Sequence, residues 1–564
     1  MSTKTNPVSH PPRLFWLLVA SGLVLRFAFA LLPLSQHLIL LEDDAWMVAA
    51  IARNFARGLG VTADGINPTT GFQPLYPLTL GTLPFLFAPN NLELGFSANL
   101  VICALLGTLA CWPLWRIANQ LGGSTAGLIA VGLYALNPTM VRLTVNAMET
   151  SLGLLLLLIV FATVLTRDMR QLRNGLWLGL LTALAVLARL DASLAFAAIT
   201  LTLLWGTVRR TAAIPASWST ALSYPILTMV LLSPYFAFNY SITGDFGPSS
   251  GRALQFMQSF AGSFNLTNGL SSIFQNSAIA LDWIPSLALK AVLVITALAG
   301  LLWLLRGELW RALPLVVFVA IPPLYYGYLL QQQRERYFVG MSVILLILLG
   351  WSLAVVLQRW KKPLARGGVL AMCVVVVGLN TNEALGFYRM MLNSPLLTQP
   401  ISYQAARWLG ANLPEDALIG AKNSGIYQYY SGRTVLNIDG KLNHEIVPVM
   451  EQRQLLDYLR QRGVTHLVDR ESVMARHISF YSHQFGPAPA HRAPSLRERI
   501  DVYVKLLLNR LGANQPLNLN RQEDFRPTRP FNDAVEIVQQ FPRPNQSGDA
   551  VTIYRLKPAG AGVP

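Results

Sequence analysis

The sequence predicts a polytopic helical membrane protein followed by a soluble α/β domain. Three observations carry that prediction. Apolar runs of spanning length recur through the first 385 of 564 residues, and the whole chain is 53% hydrophobic with only 13% charged residues. Soluble domains carry roughly 25% charged residues, and a helix needs about 20 apolar residues to cross a bilayer. Arginines gather in alternate loops, as the positive-inside rule requires of one membrane face. After about residue 385 the composition turns to mixed charge with short alternating runs.

The spacing predicts about eleven spans, near 14–34, 97–118, 124–141, 150–166, 174–190, 192–208, 220–240, 286–305, 312–330, 337–357 and 366–384. The first reads as an uncleaved signal anchor, since its apolar stretch is long and lacks a small-residue cleavage site. Segment 75–87 is apolar but short and broken by Pro74, Pro77 and Pro84. It is expected to be interfacial or re-entrant. Counting it as a span would move Arg116 to the wrong side. With it excluded, Arg116, Arg167 with Arg170 and Arg173, Arg209-Arg210, Arg306 with Arg311, and Arg359 to Arg366 share one face with the N-terminus. That face is expected to be cytoplasmic.

The opposite loops then hold Glu42-Asp43-Asp44, Glu149, Asp191, segment 241–285, Arg334-Glu335-Arg336 and everything after about 385. The predicted domains are 1–384 in the membrane and 385–564 outside it. In the latter, 417–420 and 465–468 read as buried strands, 451–461 as a helix ending at Gly463, and 485–530 as a partly ordered insertion. A net charge of +16 sits largely in short loops, where it sets topology and does not call for nucleic acid. Cys103, Cys111 and Cys373 all lie in apolar runs and offer neither a disulfide framework nor a metal site.

Ionisable groups at the edge of hydrocarbon usually have a task or a partner. Glu42-Asp43-Asp44 follows the first span and precedes an amphipathic stretch, 45–59. A partly desolvated carboxylate there is a candidate general base. Asp43 and Asp44 are equal candidates, and helix capping is the structural alternative. Glu149, at the outer start of span 150–166, is a second catalytic candidate with the same alternative. Arg189 and Asp191 interrupt a hairpin, either as an ion pair easing the turn or as a cation near a lipid phosphate. Arg336, with Arg334 beside it, stands at the outer mouth of span 337–357. A guanidinium there suits a phosphate through two parallel hydrogen bonds, or else a lipid headgroup. In the soluble part, Asn423, Asp439 and Lys441 lie in turn-forming runs that also suit a glycan.

These motifs resemble the GT-C glycosyltransferase superfamily. The resemblance lies in Asp43-Asp44, in the 67–77 run that includes Gln73 and Tyr76, and in Met148-Glu149-Thr150, Ala188 to Asp191, and Arg336-Tyr337. It is similar to bacterial members near the protein O-mannosyltransferase and aminoarabinose-transferase branch and to mycobacterial arabinofuranosyltransferases. The resemblance implies an inverting enzyme on the outer face of a bacterial cytoplasmic membrane. Its donor would be a polyprenyl-phosphate sugar and its acceptor a hydroxyl on a glycan, lipid or protein. It implies an outer-loop base at Asp43 or Asp44 and a second acid at Glu149; the reading of the residues themselves adds phosphate contacts from Arg336, Arg189 and Arg334, and substrate contacts from Glu42, Gln73, Tyr76, Asp191, Asn423, Asp439 and Lys441. No ligand set for a metal is evident, so a divalent cation such as Mg or Mn stays open. A transporter or flippase is the rival reading, as is a non-catalytic glycan-assembly protein. Transporters place charges near the midplane and carry internal repeats. Here the charges crowd one face and no repeat is visible.

Overall fold

The computed structural model describes residues 10–208, 214–259, 309–322, 334–359, 398–487, 527–542 and 549–558. Expected spans 286–305 and 366–384, Cys373, and most of the 485–530 insertion lie outside them. So do residues 260–285 of the outer segment.

Among the described residues, four helical stretches are long and apolar enough to cross a membrane: Arg13–Ala30, Leu92–Ala135, Trp218–Thr243 and Glu335–Val355. Thr150–Thr166, Leu172–Ala188 and Ala192–Val208 are apolar but shorter. Helices Thr150–Thr166 and Ala192–Val208 have the ends the sequence predicts. The first span stops at Ala30, with Pro33 capping a separate helix, Leu34–Leu40. Stretch Leu92–Ala135 breaks at Gly122 and Gly123, the latter at φ +77°. The span expected over 124–141 stops at Ala135, because Asn137 and Pro138 start a new short helix, Pro138–Thr144. Segment 75–87 forms two short helices, Leu75–Leu78 and Leu83–Phe87, as its prolines demand. A core of aliphatic and aromatic side chains, among them Trp115, Tyr134, Phe161, Leu203 and Ile344, joins these helices.

The amphipathic stretch after the acidic triplet is helix Asp44–Ala56. It is almost wholly buried because it lies between the membrane helices and the C-terminal sheet region. That region holds one five-stranded sheet: β1 Leu418–Ala421, β2 Thr434–Asn437, β3 His466–Arg470, β4 Val535–Phe541 and β5 Val551–Leu556. The order is β2-β1-β3-β5-β4, with β1 parallel to both β2 and β3, and β5 antiparallel to β3 and β4. Both strands expected from sequence are present, each shifted by one residue at its start. The single helix expected over 451–461 is two, Ile446–Glu451 and Leu455–Gln461. Between them Arg453 takes φ +56° and donates to the carbonyls of Phe480 (2.9 Å) and Ser482 (3.0 Å). The carboxyl ends of β1 and β2 lead into loops that meet the membrane helices, and those loops help to build the site.

Candidate active site

A cavity of about 140 Å³ lies between the membrane helices and the loop after β2. Asp44, Gln73, Glu149, Arg189, Asp191, Arg334, Arg336 and Lys441 line it, with Met47, Phe72, Met148 and Leu254 as apolar wall. Local structure explains how each charge arrives there. Asp44 opens its helix one residue after Asp43. Glu149 precedes the N-terminus of Thr150–Thr166, where the helix dipole favours an anion. Arg189 follows helix Leu172–Ala188 in extended backbone (φ −152°), so its side chain leaves between two helices. Arg336 sits on the single 3-10 turn Glu335–Phe338 that precedes helix Val339–Arg359.

Two arginine clusters result. In the inner one, the Arg189 guanidinium donates to Glu149 Oε1 (3.1 Å) and to Asp191 Oδ2 (2.6 Å). Arg189 and Glu149 are only 8% and 6% exposed. Gly153 lets the arginine lie flat, since a Cβ there would stand 2.5 Å from its side-chain carbons. The side chain of Gln73 accepts from the Leu190 N–H at 2.9 Å and fixes the same hairpin. In the outer cluster, Arg336 donates to Glu42 Oε2 (2.8 Å) and to Asp44, and Arg334 approaches Glu42 at 3.7 Å. The Tyr337 ring lies beside both guanidiniums, 5.5 Å from that of Arg336 and 6.0 Å from that of Arg189. A small apolar groove adjoins the cavity and shares Arg189, Asp191 and Tyr337 with it; Leu154, Leu157, Phe318 and Val339 line it further in.

The third cation comes from the C-terminal region. Lys441 is held by Asp439, ammonium to carboxylate at 3.1 Å, and its pKa is raised chiefly by that partner. Its carbonyl accepts from Ser249 Oγ at 2.7 Å and presses on Gly71, where a Cβ would come within 1.8 Å. Burial works to raise the Asp44 carboxyl, but the charges of Arg336, Lys441 and Arg334 outweigh it and hold Asp44 well below the usual carboxylate range.

Asp43 behaves differently. Its carboxylate turns away from the cavity and accepts the backbone N–H groups of Gly425 (2.9 Å) and Ile426 (3.0 Å). Burial pushes it up to about 7; those two hydrogen bonds oppose the rise, and the charges of Asp44 and Asp469 add to it.

Four of the seven expected substrate contacts, Glu42, Tyr76, Asn423 and Asp439, do not line the cavity. Tyr76 is fully buried, its hydroxyl on Asn99 Oδ1 at 2.8 Å. Asn423 is engaged with Asp469. Glu42 and Asp439 act behind Arg336 and Lys441. Sequence reasoning had not named Phe72, Met148, Leu254 or Tyr337 as site residues. Tyr337 and Met148 stood inside motifs already quoted; Leu254 carried no signal. As for a metal, the cavity carboxylates are each engaged by a cation, and no group of three or more His, Cys, Asp or Glu gathers among the described residues.

Residues 93–237 match the family model of dolichyl-phosphate-mannose-protein mannosyltransferases. Residues 395–554 match a domain of unknown function, DUF8728. No curated protein matches by sequence. Among solved structures, the chain is similar to ArnT from Cupriavidus metallidurans bound to undecaprenyl phosphate. That likeness has 13% identity and a TM-score of 0.56, covering 98% of this chain and 100% of that one. It is also similar to the Archaeoglobus fulgidus oligosaccharyltransferase in the apo form (14% identity, TM-score 0.52, 83% of this chain and 71% of that one). The same archaeal enzyme, AglB, in complex with an inhibitory peptide and a dolichol-phosphate aligns at 11% identity with the same TM-score and coverage. The segment match and the shared fold point the same way: residues 93–237 are similar to the mannosyltransferase model, and the fold is the one seen in the ArnT and oligosaccharyltransferase structures.

Proposed function

We propose that the chain transfers a sugar from a polyprenyl-phosphate donor to an acceptor hydroxyl at the outer face of a bacterial cytoplasmic membrane. The observation that carries this reading is the Asp44–Arg336 pair on the wall of a cavity that continues into an apolar groove. Leu154, Leu157, Phe318 and Val339 offer apolar surface toward a prenyl chain, and a phosphate suits the arginine. The similar ArnT structure is bound to undecaprenyl phosphate and the AglB structure is in complex with a dolichol-phosphate, the class of carrier that such a donor leaves behind.

The reaction is a single inverting displacement. The acceptor oxygen attacks the anomeric carbon, its proton passes to Asp44, and the bond from that carbon to the phosphate oxygen breaks. The phosphate leaves with the bonding pair as a dianion. A guanidinium aimed at the leaving oxygens favours that charge development. Arg336 is already spent on Asp44 and Glu42, so an arriving phosphate competes for it. The exchange frees Asp44 from its counter-ion and raises its basicity at the moment a donor is present. Arg189, with Arg334, adds positive field, Glu149 keeps Arg189 in place, and Lys441 bounds the acceptor side. No step is routed through a metal; Mg or Mn enters only as an additive to test.

The remaining parts of the reading are about eleven spans, a division into 1–384 and 385–564, and an outward-facing C-terminal domain. Purified protein in nanodiscs, given undecaprenyl-phosphate mannose, arabinose and aminoarabinose with an envelope extract as acceptor, tests the activity. Release of undecaprenyl phosphate from one donor, lost in Asp44→Asn, is expected. Release unchanged in Asp44→Asn, or absent with every donor, overturns the reading. A cysteine placed at 545 should react with an impermeant thiol reagent before the inner membrane is broken; reaction only afterwards rejects the orientation.

A further inference from the structure

Helix Asp44–Ala56 holds the short helix Gly425–Tyr430 at both ends. At the amino end, both Asp43 carboxylate oxygens accept N–H groups, from Gly425 and Ile426. At the carbonyl end, Arg53 donates to the carbonyls of Tyr429 (2.8 Å) and Gln428 (3.2 Å), and its guanidinium lies 5.3 Å from the centre of the Tyr429 ring. Carboxyl oxygens thus meet the free N–H groups and a cation meets the free carbonyls, so both sets of unpaired backbone groups at the helix ends are satisfied. The fit is close. A Cβ on Gly425 would stand 2.3 Å from the Asp43 carbonyl oxygen. Tyr429 adds a hydrogen bond from its hydroxyl to the Leu92 carbonyl at 2.6 Å.

The clamp touches the site through its neighbours in sequence. Asp44 follows Asp43 directly and lines the cavity. Asn437, at the end of β2, donates to the Lys422 carbonyl and to Ser424 Oγ, both at 3.2 Å, and so ties the start of the clamped helix to the loop bearing Lys441. Asp43 therefore stands between the membrane side and the outer side of the cavity without facing it.

We infer that Asp43 is a positioning residue: its carboxylate locks the outer domain onto the helix that carries Asp44, and so fixes Asp44 and Lys441 relative to one another. This rests on the reading of Asp44 as the base. It separates two adjacent aspartates by role. One holds a domain interface and the other takes the proton.

The test uses the full chain in nanodiscs with two readouts: hydrogen exchange of the amides in 425–430, and the rate and donor KM of undecaprenyl phosphate release. Asp43→Asn keeps one carbonyl oxygen as acceptor and is expected to lose about fivefold or less in rate. Asp43→Ala and Gly425→Ala are expected to exchange at least about tenfold faster at 425–430 and to lose about tenfold in kcat, with donor KM within about twofold. Arg53→Gln should loosen the same amides from the other end. Asp44→Asn should abolish turnover with protection intact. Wild-type protection in Asp43→Ala and Gly425→Ala overturns the clamp. Asp43→Asn as inactive as Asp44→Asn, with protection intact, overturns the positioning role and makes Asp43 the chemical group. If Asp44→Asn stays active, the base assignment fails, while the exchange data still decide the clamp.

Discussion

The two arginine clusters of the cavity look alike on paper and differ in kind. Arg189 is enclosed, with partners at 8% and 18% side-chain exposure and a glycine under its stem. Arg336 is itself well covered, at 12%, but its partners Glu42 and Asp44 are 39% and 26% exposed. A buried pair with no water nearby does not exchange partners cheaply, because separating it strands two charges. A pair at the rim does exchange. The inner cluster therefore reads as wall, and the outer one as the place where an incoming phosphate displaces a carboxylate.

The comparison breaks or sharpens under mutation, and the largest effect should come from the outer cluster. Asp44→Asn should reduce turnover by about 10²–10⁴. It should also bind undecaprenyl phosphate more tightly than wild type, because the competitor for Arg336 is gone. Weaker binding, measured by titration in nanodiscs, would count against partner exchange. Next comes the inner wall. Arg189→Met should lower stability by about 3–5 kcal/mol, since it strands the buried Glu149 carboxylate, whereas Glu149→Gln should cost less, because Asp191 still holds the guanidinium. The double variant should recover part of that loss. Thermal unfolding of the three proteins checks this; equal, small effects would place the inner cluster with the outer one. Arg336→Lys should fold normally and weaken donor binding by about tenfold, since a point charge gives up one of two charge-assisted hydrogen bonds. Arg336→Ala should weaken it further.

The smallest effect concerns pH and lies at Asp43. A carboxyl with a pKa raised to about 7 in the folded chain binds its proton more tightly there than in the open chain. Its contribution is thus fully present below about pH 4 and is lost as the pH rises through about 7. Thermal unfolding between pH 5 and 8 should show Asp43→Asn gaining on wild type as the pH rises, and levelling off above about 7. A constant difference would mean that Asp43 does not titrate in this range.

Much of this architecture was legible in the sequence. Helix starts and stops followed apolar runs and prolines, so 150–166, 192–208 and the broken 75–87 segment fall where expected. The Arg189–Asp191 ion pair was one of the two readings of that hairpin, whereas Glu149 joining it was legible only as sidedness: charges in alternate loops share a face, but the chain does not say that these loops touch. The resemblance to GT-C enzymes came from motif order and is borne out by the mannosyltransferase segment and the shared fold. What could not be read was the difference between Asp43 and Asp44. Adjacent residues at a helix start diverge by about 100° around its axis, and their roles depend on Gly425, 382 residues away. Tyr76 misled for a related reason. It sits in a motif, yet its hydroxyl serves Asn99 within the core.

The sheet order has a consequence for how this molecule can diversify. Strands β1, β2 and β3 run parallel, and among the described residues of the sheet region only the connection leaving β2 lines the cavity, through Lys441 and Leu442. The stretch from Ile438 to Asn443 can therefore alter the cavity directly, yet it is also built into the core: Ile438, Asp439 and Asn443 are buried, and the carbonyls of Ile438 and Lys441 accept from His477 and Ser249. On the proposed reading, a change in what receives the sugar is made at Lys441 and Leu442, with the buried residues on either side kept.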